Sequence, residues 1–419
     1  MLGFNSVDYT TIDIALIRLG AVSVPLQTSA PVTGLRPIVT ETEPTMIATS
    51  IDNLGDAVEV LAGHAPARLV VFDYHGKVDT HREAVEAARA RLAGSVTIDT
   101  LAELIDTSGS TGAPKGAMYR ESQVMSFWRK SSGWFEPSGY PSITLNFMPM
   151  SHVGGRQVLY GTLSNGGTAY FVAKSDLSTL FEDLALVRPT ELCFVPRIWD
   201  MVFAEFHSEV DRRLVDGADR AALEAQVKAE LRENVLGGRF VMALTGSAPI
   251  SAEMTAWVES LLADVHLVEG YGSTEAGMVL NDGMVKTQTM FPGYYQRPDV
   301  TAEVFDPDGF YRTGDIMAKV GPDQFVYLDR RNNVLKLSQG EFIAVSKLEA
   351  VFGDSPLVRQ IFIYGNSARA YPLAVVVPSG DALSRHGIEN LKPVISESLQ
   401  EVARAAGLQS YEIPRDFII

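Results

Sequence analysis

Four short apolar runs alternate with stretches of helical periodicity, and this alternation narrows the fold more than anything else in the chain. They lie at residues 143–150 (ITLNFMPM), 168–172 (TAYFV), 191–196 (ELCFVP) and 239–246 (RFVMALTG), and each reads as a strand. Between the last two, Leu223, Val227 and Leu231 recur at a four-residue step and predict a helix over about 218–234. Its charges, including Glu224 four residues before Lys228, read as a solvated face. A further helix over 251–263 opens on Ser251 as N-cap, with Glu253 near the positive end of the dipole. Nearer the N-terminus, Ile12, Ala15, Leu16 and Leu19 share one face of a helix within 7–19 that stops at Gly20. A short buried strand is expected at 21–26 (AVSVPL), another around RLVVF within 67–73, and a helix over 80–93. Strands interleaved with helices predict an α/β architecture, a sheet containing parallel strands with helices packed on it.

The chain has 419 residues, more than one ordinary domain holds, and its 46% hydrophobic content marks a well-cored protein. After about residue 330 the polar, turn-rich DRRNNVLKLSQGEF precedes a short helix-and-strand alternation (KLEAVFG, QIFIYG, PLAVVVP). This predicts a core domain over 1–330 and a small α+β subdomain over 331–419. A formal net charge of −16 argues against non-specific binding to nucleic acid or anionic membranes. No stretch approaches 18 uninterrupted apolar residues, so no membrane span is expected. Cys193 is the single cysteine and sits in an apolar run, which excludes a disulfide framework and reads as core packing. The first twenty residues lack a basic n-region and carry Asp8 and Asp13, unlike a signal peptide. A cytoplasmic location is the expectation.

The chemistry concentrates in residues 106–116, DTSGSTGAPKG. Gly109, Gly112 and Gly116 let backbone N–H groups turn toward an anion, while Thr107, Ser108, Ser110 and Thr111 add donors. Lys115 adds a point charge suited to phosphate. The spacing is not that of the common G-x-x-x-x-G-K-[ST] loop. A plain Ser/Gly linker would rarely carry Pro-Lys-Gly so soon after Thr-Gly. His152 follows a strand and precedes Gly154 and Gly155; it reads either as a group beside a carboxylate substrate or as a satisfied core histidine. ALTGSAPIS (243–251) and LVEGYGSTEAG (267–277) both run from an apolar strand through glycine into small polar residues. Such loops gather beyond the carboxyl ends of strands, where α/β sheets bind ligands. There Tyr271 suits a flat base, Thr274 a phosphate and Glu275 a magnesium ion. Asp315, after a Thr-Gly turn, has the two acceptor oxygens that vicinal ribose hydroxyls need. Each of these also has a plain reading as an ordinary turn or joint.

Taken in order, TSGSTGAPKG, MPMSHVGG, GYGSTEAG, YRTGD and DRRNNVLKLSQGEF resemble the adenylate-forming superfamily over most of the chain. ALTGSAPISAEM, KTQTMFPGYY and the stretch from RRNNVLKLSQGEF onward are similar, more narrowly, to adenylation domains of bacterial carboxylic acid reductases. The resemblance implies ATP- and Mg-dependent conversion of a carboxylic acid to an acyl-adenylate, with AMP as the nucleotide part. The acyl group would pass to a phosphopantetheine thiol on a carrier domain, and an NADPH-dependent reductase domain of the same polypeptide would release an aldehyde. Position by position, the loop from Thr107 to Lys115 would hold the β- and γ-phosphates, His152 would sit by the carboxylate, and Thr274 would bond the α-phosphate. Ser247, Glu269 and Gly270 would contact the nucleotide, and Glu275 would hold magnesium. Asp315 would bind the ribose with Tyr327 and Arg330 nearby, and Lys336 would lie at the hinge of the small subdomain. A stand-alone long-chain acyl-CoA synthetase and a nucleotide-binding module without catalysis are the other readings.

The chain departs from the family pattern in four places. A longer N-terminal stretch, an apolar strand ending in Tyr before TSGSTG, a longer segment between GMVL and KTQTM, and the small-subdomain lysine beyond EIPRDFII are all missing. Deletions through a core strand and a site loop are costly. They predict that the polypeptide carries further residues at these places and has an intact mass above 45.6 kDa.

Overall fold

The computed structural model describes residues 1–61, 68–73, 77, 79–81, 83, 103–107, 115–120, 123–124, 140–214, 219–281, 283–285 and 291–419. Their contacts divide the chain into two units. The first comprises Met1–Glu191, Thr274–Gly277 and Gln288–Tyr311; the second comprises Leu192–Ser273, Met278–Thr287 and Arg312–Ile419.

In the first unit, Ser6 caps the helix Val7–Arg18 by accepting from the Tyr9 amide, and Gly20 leaves it with φ 68°. The strands Met46–Ser50 and Arg68–Phe72 pair in parallel. The strand expected at 21–26 is reduced to isolated bridging, with Leu26 paired to Leu2. Pro25 has no N–H to give a ladder, which is reason enough. Ile143–Asn146 and Thr168–Phe171 pair in parallel, with the helix Val153–Ser164 as the connection between them. His152 stands at the strand-to-helix joint of this βαβ unit. The helices Val7–Arg18 and Val153–Ser164 share a core in which Tyr9, Leu16, Val153, Leu159 and Tyr160 are buried together. Residues 80–93 lie, except for 80, 81 and 83, outside the described residues.

The strand candidates do not all meet in one sheet among the described residues. Among the described residues, the sheet to which the second unit contributes most runs in the order Asp315–Gly321, Gln324–Arg330, Met284–Val285, Gly277–Asn281, Leu267–Ser273, Met242–Gly246, Glu191–Phe194. The sheet is mixed: Met242–Gly246 and Leu267–Ser273 run parallel, whereas Asp315–Gly321 and Gln324–Arg330 form an antiparallel pair. Cys193 is buried in the strand at one edge. Arg220–Glu230 is helical and runs into a π turn, Leu231–Val235, with Val227 and Leu231 buried. Lys228 does not pair with Glu224. It donates to Ser260 Oγ at 2.7 Å and lies over the rings of Phe206 and Trp257, while Glu224 meets Arg220 at 2.8 Å. The ammonium of a half-buried lysine lies over aromatic rings here, a contact that charge spacing along one helix does not register.

Residues from Leu335 onward enclose a core of their own. The antiparallel strands Val358–Tyr364 and Leu373–Pro378 bury alternate residues (Ile361, Ile363, Ala374, Val376) against the helices Val345–Gly353 and Leu391–Ala405. Two polar contacts tie this region to earlier helices of the same unit. Ser251 Oγ, while capping the Met254 amide, donates to Asp354 Oδ2 at 2.6 Å, and Arg385 meets Asp211 at 2.9 Å. Burial, reinforced by the charges of Glu253 and Asp200 and opposed by the Ser251 hydrogen bond, raises the Asp354 pKa to about 6. An acid raised in the folded state favours folding below its unfolded pKa and loses that contribution as pH rises through about 6. Asp354→Asn is therefore expected to stabilise the protein at pH 7 by about 1–2 kcal/mol. The gain should vanish toward the pH at which an unfolded aspartate protonates. Denaturant titrations at neutral and acid pH check this; equal stability of variant and parent at pH 7 would refute it.

Candidate functional site

The two units carry different parts of the predicted site. In the second, Gly246 and Gly270 are register partners on parallel strands. A Cβ on Gly246 would stand 2.4 Å from the Gly270 carbonyl oxygen, so the approach of the two strands requires glycine there. Ser247, directly after, adopts a left-handed backbone with φ 70°, a conformation of about 1 kcal/mol cost that non-glycine residues keep mostly at functional turns. Glu269 is exposed and opposite Thr245, and Gly270 is buried.

Tyr271 leaves the same strand and stacks on Tyr327, with ring centroids 5.7 Å apart and planes 29° from parallel. Its hydroxyl donates to Asp315 Oδ2. Arg330, the register partner of Asp315, brings its Nε to 2.9 Å from Oδ1. Burial, and then the neighbouring Asp315, raise the Tyr271 pKa, so the phenol stays a donor. The fold thus gathers Tyr271, Asp315, Tyr327 and Arg330, all four of which the sequence singles out. The Asp315 side chain is only 1% exposed beneath Tyr271 and Arg330. A diol would use the lone pairs these partners leave, or displace one of them. Lys336 is exposed on the hairpin Val334–Lys336 with Phe342–Ala344, 5.3 Å above the Phe342 ring. Just before it, buried Asp329 accepts from the Ser346 amide at 2.9 Å and pins the strand to the start of the next helix.

In the first unit, Glu103–Thr107 and Lys115–Tyr119 form an antiparallel pair with Thr107 opposite Lys115. A strand therefore leads into the glycine-rich stretch, where the sequence reading has none. Ser108, Gly109, Ser110, Thr111 and Gly112 lie outside the described residues. Tyr119 donates its hydroxyl to the Thr274 carbonyl. Glu275 is half-buried; its Oε1 accepts from the Tyr294 hydroxyl at 2.8 Å and its carbonyl from the Phe291 amide at 2.9 Å. Among the described residues no cluster of three metal-ligating side chains occurs. A lone carboxylate with lone pairs to spare suits magnesium, which keeps waters and shares its shell with substrate phosphates.

His152 caps the helix that follows it: Nδ1 accepts from the Gly154 amide at 3.0 Å, which leaves the proton on Nε2. The imidazole edge meets solvent, but surrounding protein desolvates it and lowers its pKa, which favours the neutral ring. The loop before it is held on both sides. Buried Asn5 bonds the Met148 carbonyl and the Met150 amide, and Arg156 Nε donates to the Met150 carbonyl at 2.6 Å. A Cβ on Gly155 would collide with the Pro149 carbonyl oxygen at 2.5 Å, so glycine admits the helix this close. Sequence reasoning found His152 but missed Asn5, Arg156, Tyr119 and Tyr294, whose roles depend on partners more than a hundred residues away or on strand pairing.

The family model for AMP-binding enzymes matches residues 1–319. The adenylation domain of a carboxylate reductase from Mycobacterium chelonae superimposes with a TM-score of 0.94 at 49% identity, covering all of this chain and 74% of that one. The chain belongs to the AMP-binding enzyme family, among the carboxylic acid reductase adenylation domains. The corresponding domain from Segniliparus rugosus, solved with AMP and a co-purified carboxylic acid, matches with a TM-score of 0.90, 49% identity and 76% coverage of that chain. A carboxylic acid reductase of Mycobacterium tuberculosis is 88% identical over 474 aligned positions, which take in the whole of this chain and 41% of that protein. The chain thus spans about two fifths of that relative's length. Among the described residues no helix is long and apolar enough to cross a membrane.

Proposed function

We propose that this domain activates a carboxylic acid with ATP, giving an acyl-adenylate and pyrophosphate. A carboxylate oxygen bonds to the α-phosphorus, the bond from that phosphorus to the bridging oxygen breaks, and pyrophosphate leaves with the electron pair. The observation that carries the reading is the juxtaposition in one unit of Lys115, Thr274 and Glu275, bound together through Tyr119 and Tyr294. Little bond chemistry is asked of the protein in phosphoryl transfer; placement and charge neutralisation supply the rate. Lys115 and the loop from Thr107 to Gly112 take the β- and γ-phosphates, and Thr274 takes the α-phosphate. Glu275 would hold magnesium, and the chemistry that ion would supply is neutralisation of charge on the phosphates. Ser247, Glu269, Gly270, Tyr271, Asp315, Tyr327 and Arg330 hold the nucleoside. His152, whose Nδ1 is an acceptor and whose proton is therefore on Nε2, offers a donor to the acid's carboxylate.

The acyl group then passes to a phosphopantetheine thiol on a carrier domain as AMP leaves, and on an NADPH-dependent reductase domain hydride replaces the thiol at the acyl carbon, freeing the aldehyde and the thiol, in the cytoplasm. Residues 331–419 act as a small subdomain turning about the stretch that contains Lys336. Pyrophosphate–ATP exchange with a panel of aromatic and aliphatic acids tests the proposal on the full-length protein. Exchange that depends on the acid supports it, and AMP binding without exchange for any acid would leave only a non-catalytic nucleotide module. Release of acyl-CoA in place of aldehyde would favour a stand-alone synthetase.

A further inference from the structure

The strand Lys115–Tyr119 is bonded along both edges. Glu103–Thr107 pairs with one edge; on the other, Ala117 bridges Tyr294, the Met118 amide donates to the Gly293 carbonyl at 3.0 Å, and the Tyr295 amide to the Gly116 carbonyl at 2.8 Å. Gly293 sits at φ 140°, where a Cβ would also strike Thr301, and Thr301 Oγ1 accepts from the Tyr294 amide at 2.9 Å. The backbone at Tyr294 is therefore fixed from both sides. Its side chain is fixed as well: it is 6% exposed and packs with Ala117 and edge-on to Phe291, centroids 4.8 Å apart. This one buried ring touches two charges of opposite sign. Its hydroxyl donates to Glu275 Oε1 at 2.8 Å, and the Lys115 ammonium lies 5.5 Å from its centroid.

We infer that Tyr294 is a positioning residue that sets the spacing and orientation of the Glu275 carboxylate relative to the Lys115 ammonium. The inference rests on the roles proposed above for those two side chains. A polyphosphate with its magnesium must meet a negative group at the metal and a positive group at the phosphates simultaneously. Two flexible side chains of opposite charge would otherwise have to be ordered at each binding event, an entropic cost that a preformed arrangement avoids. The phenol O–H occupies one lone-pair direction of Oε1 and leaves the rest of the carboxylate directed by a rigid ring. The ring face gives Lys115 a cation–π seat independent of that hydroxyl.

The two contacts can be separated. Tyr294→Phe removes the hydroxyl and keeps the ring; Tyr294→Leu removes both. On the full-length protein, calorimetric titration with ATP in magnesium, with ATP in EDTA and with AMP in EDTA reads each contact apart from catalysis. For Tyr294→Phe, half-saturating magnesium should rise roughly three- to tenfold, the loss of one hydrogen bond, with AMP affinity and melting temperature close to the parent's. For Tyr294→Leu, metal-free ATP should also bind more weakly, and phenylalanine at the same position should restore that affinity without restoring the magnesium response. A folded Tyr294→Phe protein with the parent's magnesium dependence would overturn the inference, whether or not the leucine variant folds. A parent protein that binds neither nucleotide would instead overturn the functional reading beneath it.

Discussion

Glu275→Gln is expected to lower acid-dependent pyrophosphate–ATP exchange by about 10²- to 10³-fold, the usual cost of losing one electrostatic contact to a transition state. The fold should tolerate the change. Glutamine is isosteric, its amide oxygen can still accept from the Tyr294 hydroxyl, and the Phe291 amide bonds the Glu275 main chain, which is untouched. The melting temperature should stay within about 2 °C of the parent's, because no buried charge is stranded on a half-buried site. What is lost is the negative charge that a magnesium ion requires. AMP binding without metal should be nearly unchanged, whereas exchange falls at every magnesium concentration. Parent-like exchange in Glu275→Gln at saturating acid would exclude Glu275 as the metal-holding carboxylate.

Legibility followed the range over which a feature acts. The helix Ala252–Leu262 with its Ser251 cap was readable because a cap is a three-residue device. The strands Glu191–Phe194 and Met242–Gly246 are readable because each is a short apolar run, buried along most of the first and at alternate residues of the second. Their sorting is not: Ile143–Asn146 pairs with Thr168–Phe171 and not with these two, and register is written in contacts that no local pattern records. The same division runs through the site. Tyr271, Asp315, Tyr327 and Arg330 converge because strand pairing sets Asp315 opposite Arg330; side-chain chemistry after a turn marks Tyr271 and Asp315 in the sequence, whereas Tyr327 and Arg330 are marked only through the resemblance of their motifs. Asp13 carries a local signal of its own burial. It lies four residues after Tyr9 and three before Leu16, on the buried face of a helix, and Arg156 lies likewise four before buried Tyr160. A charge on the apolar stripe of each of two helices is the mark of a buried pair.

That pair is the second large effect. Asp13 and Arg156 have fully buried side chains, with Arg156 Nη1 2.7 Å from Asp13 Oδ2. Ser23 Oγ donates to Asp13 at 2.8 Å, the Tyr160 hydroxyl donates to the same carboxylate, and Arg156 Nε is engaged with the Met150 carbonyl. Desolvation of two ions is repaid only when both are present, so removing either one strands the other in a dry interior. Asp13→Leu and Arg156→Met should each lower the unfolding free energy by about 3–5 kcal/mol, whereas the double variant, with no charge left to bury, should lose much less than their sum. Denaturant titrations of the four proteins give the coupling directly, and single variants within about 1 kcal/mol of the parent would refute a stabilising pair. The two roles of Arg156 then come apart. Folding needs the charges matched, but the loop before His152 needs the Nε donor, which methionine lacks. A double variant that regains stability should still exchange pyrophosphate poorly, because the Met150 carbonyl has lost its bond and His152 stands two residues beyond it. If exchange recovers together with stability, the pair serves the fold alone and Asn5 is sufficient to hold the loop.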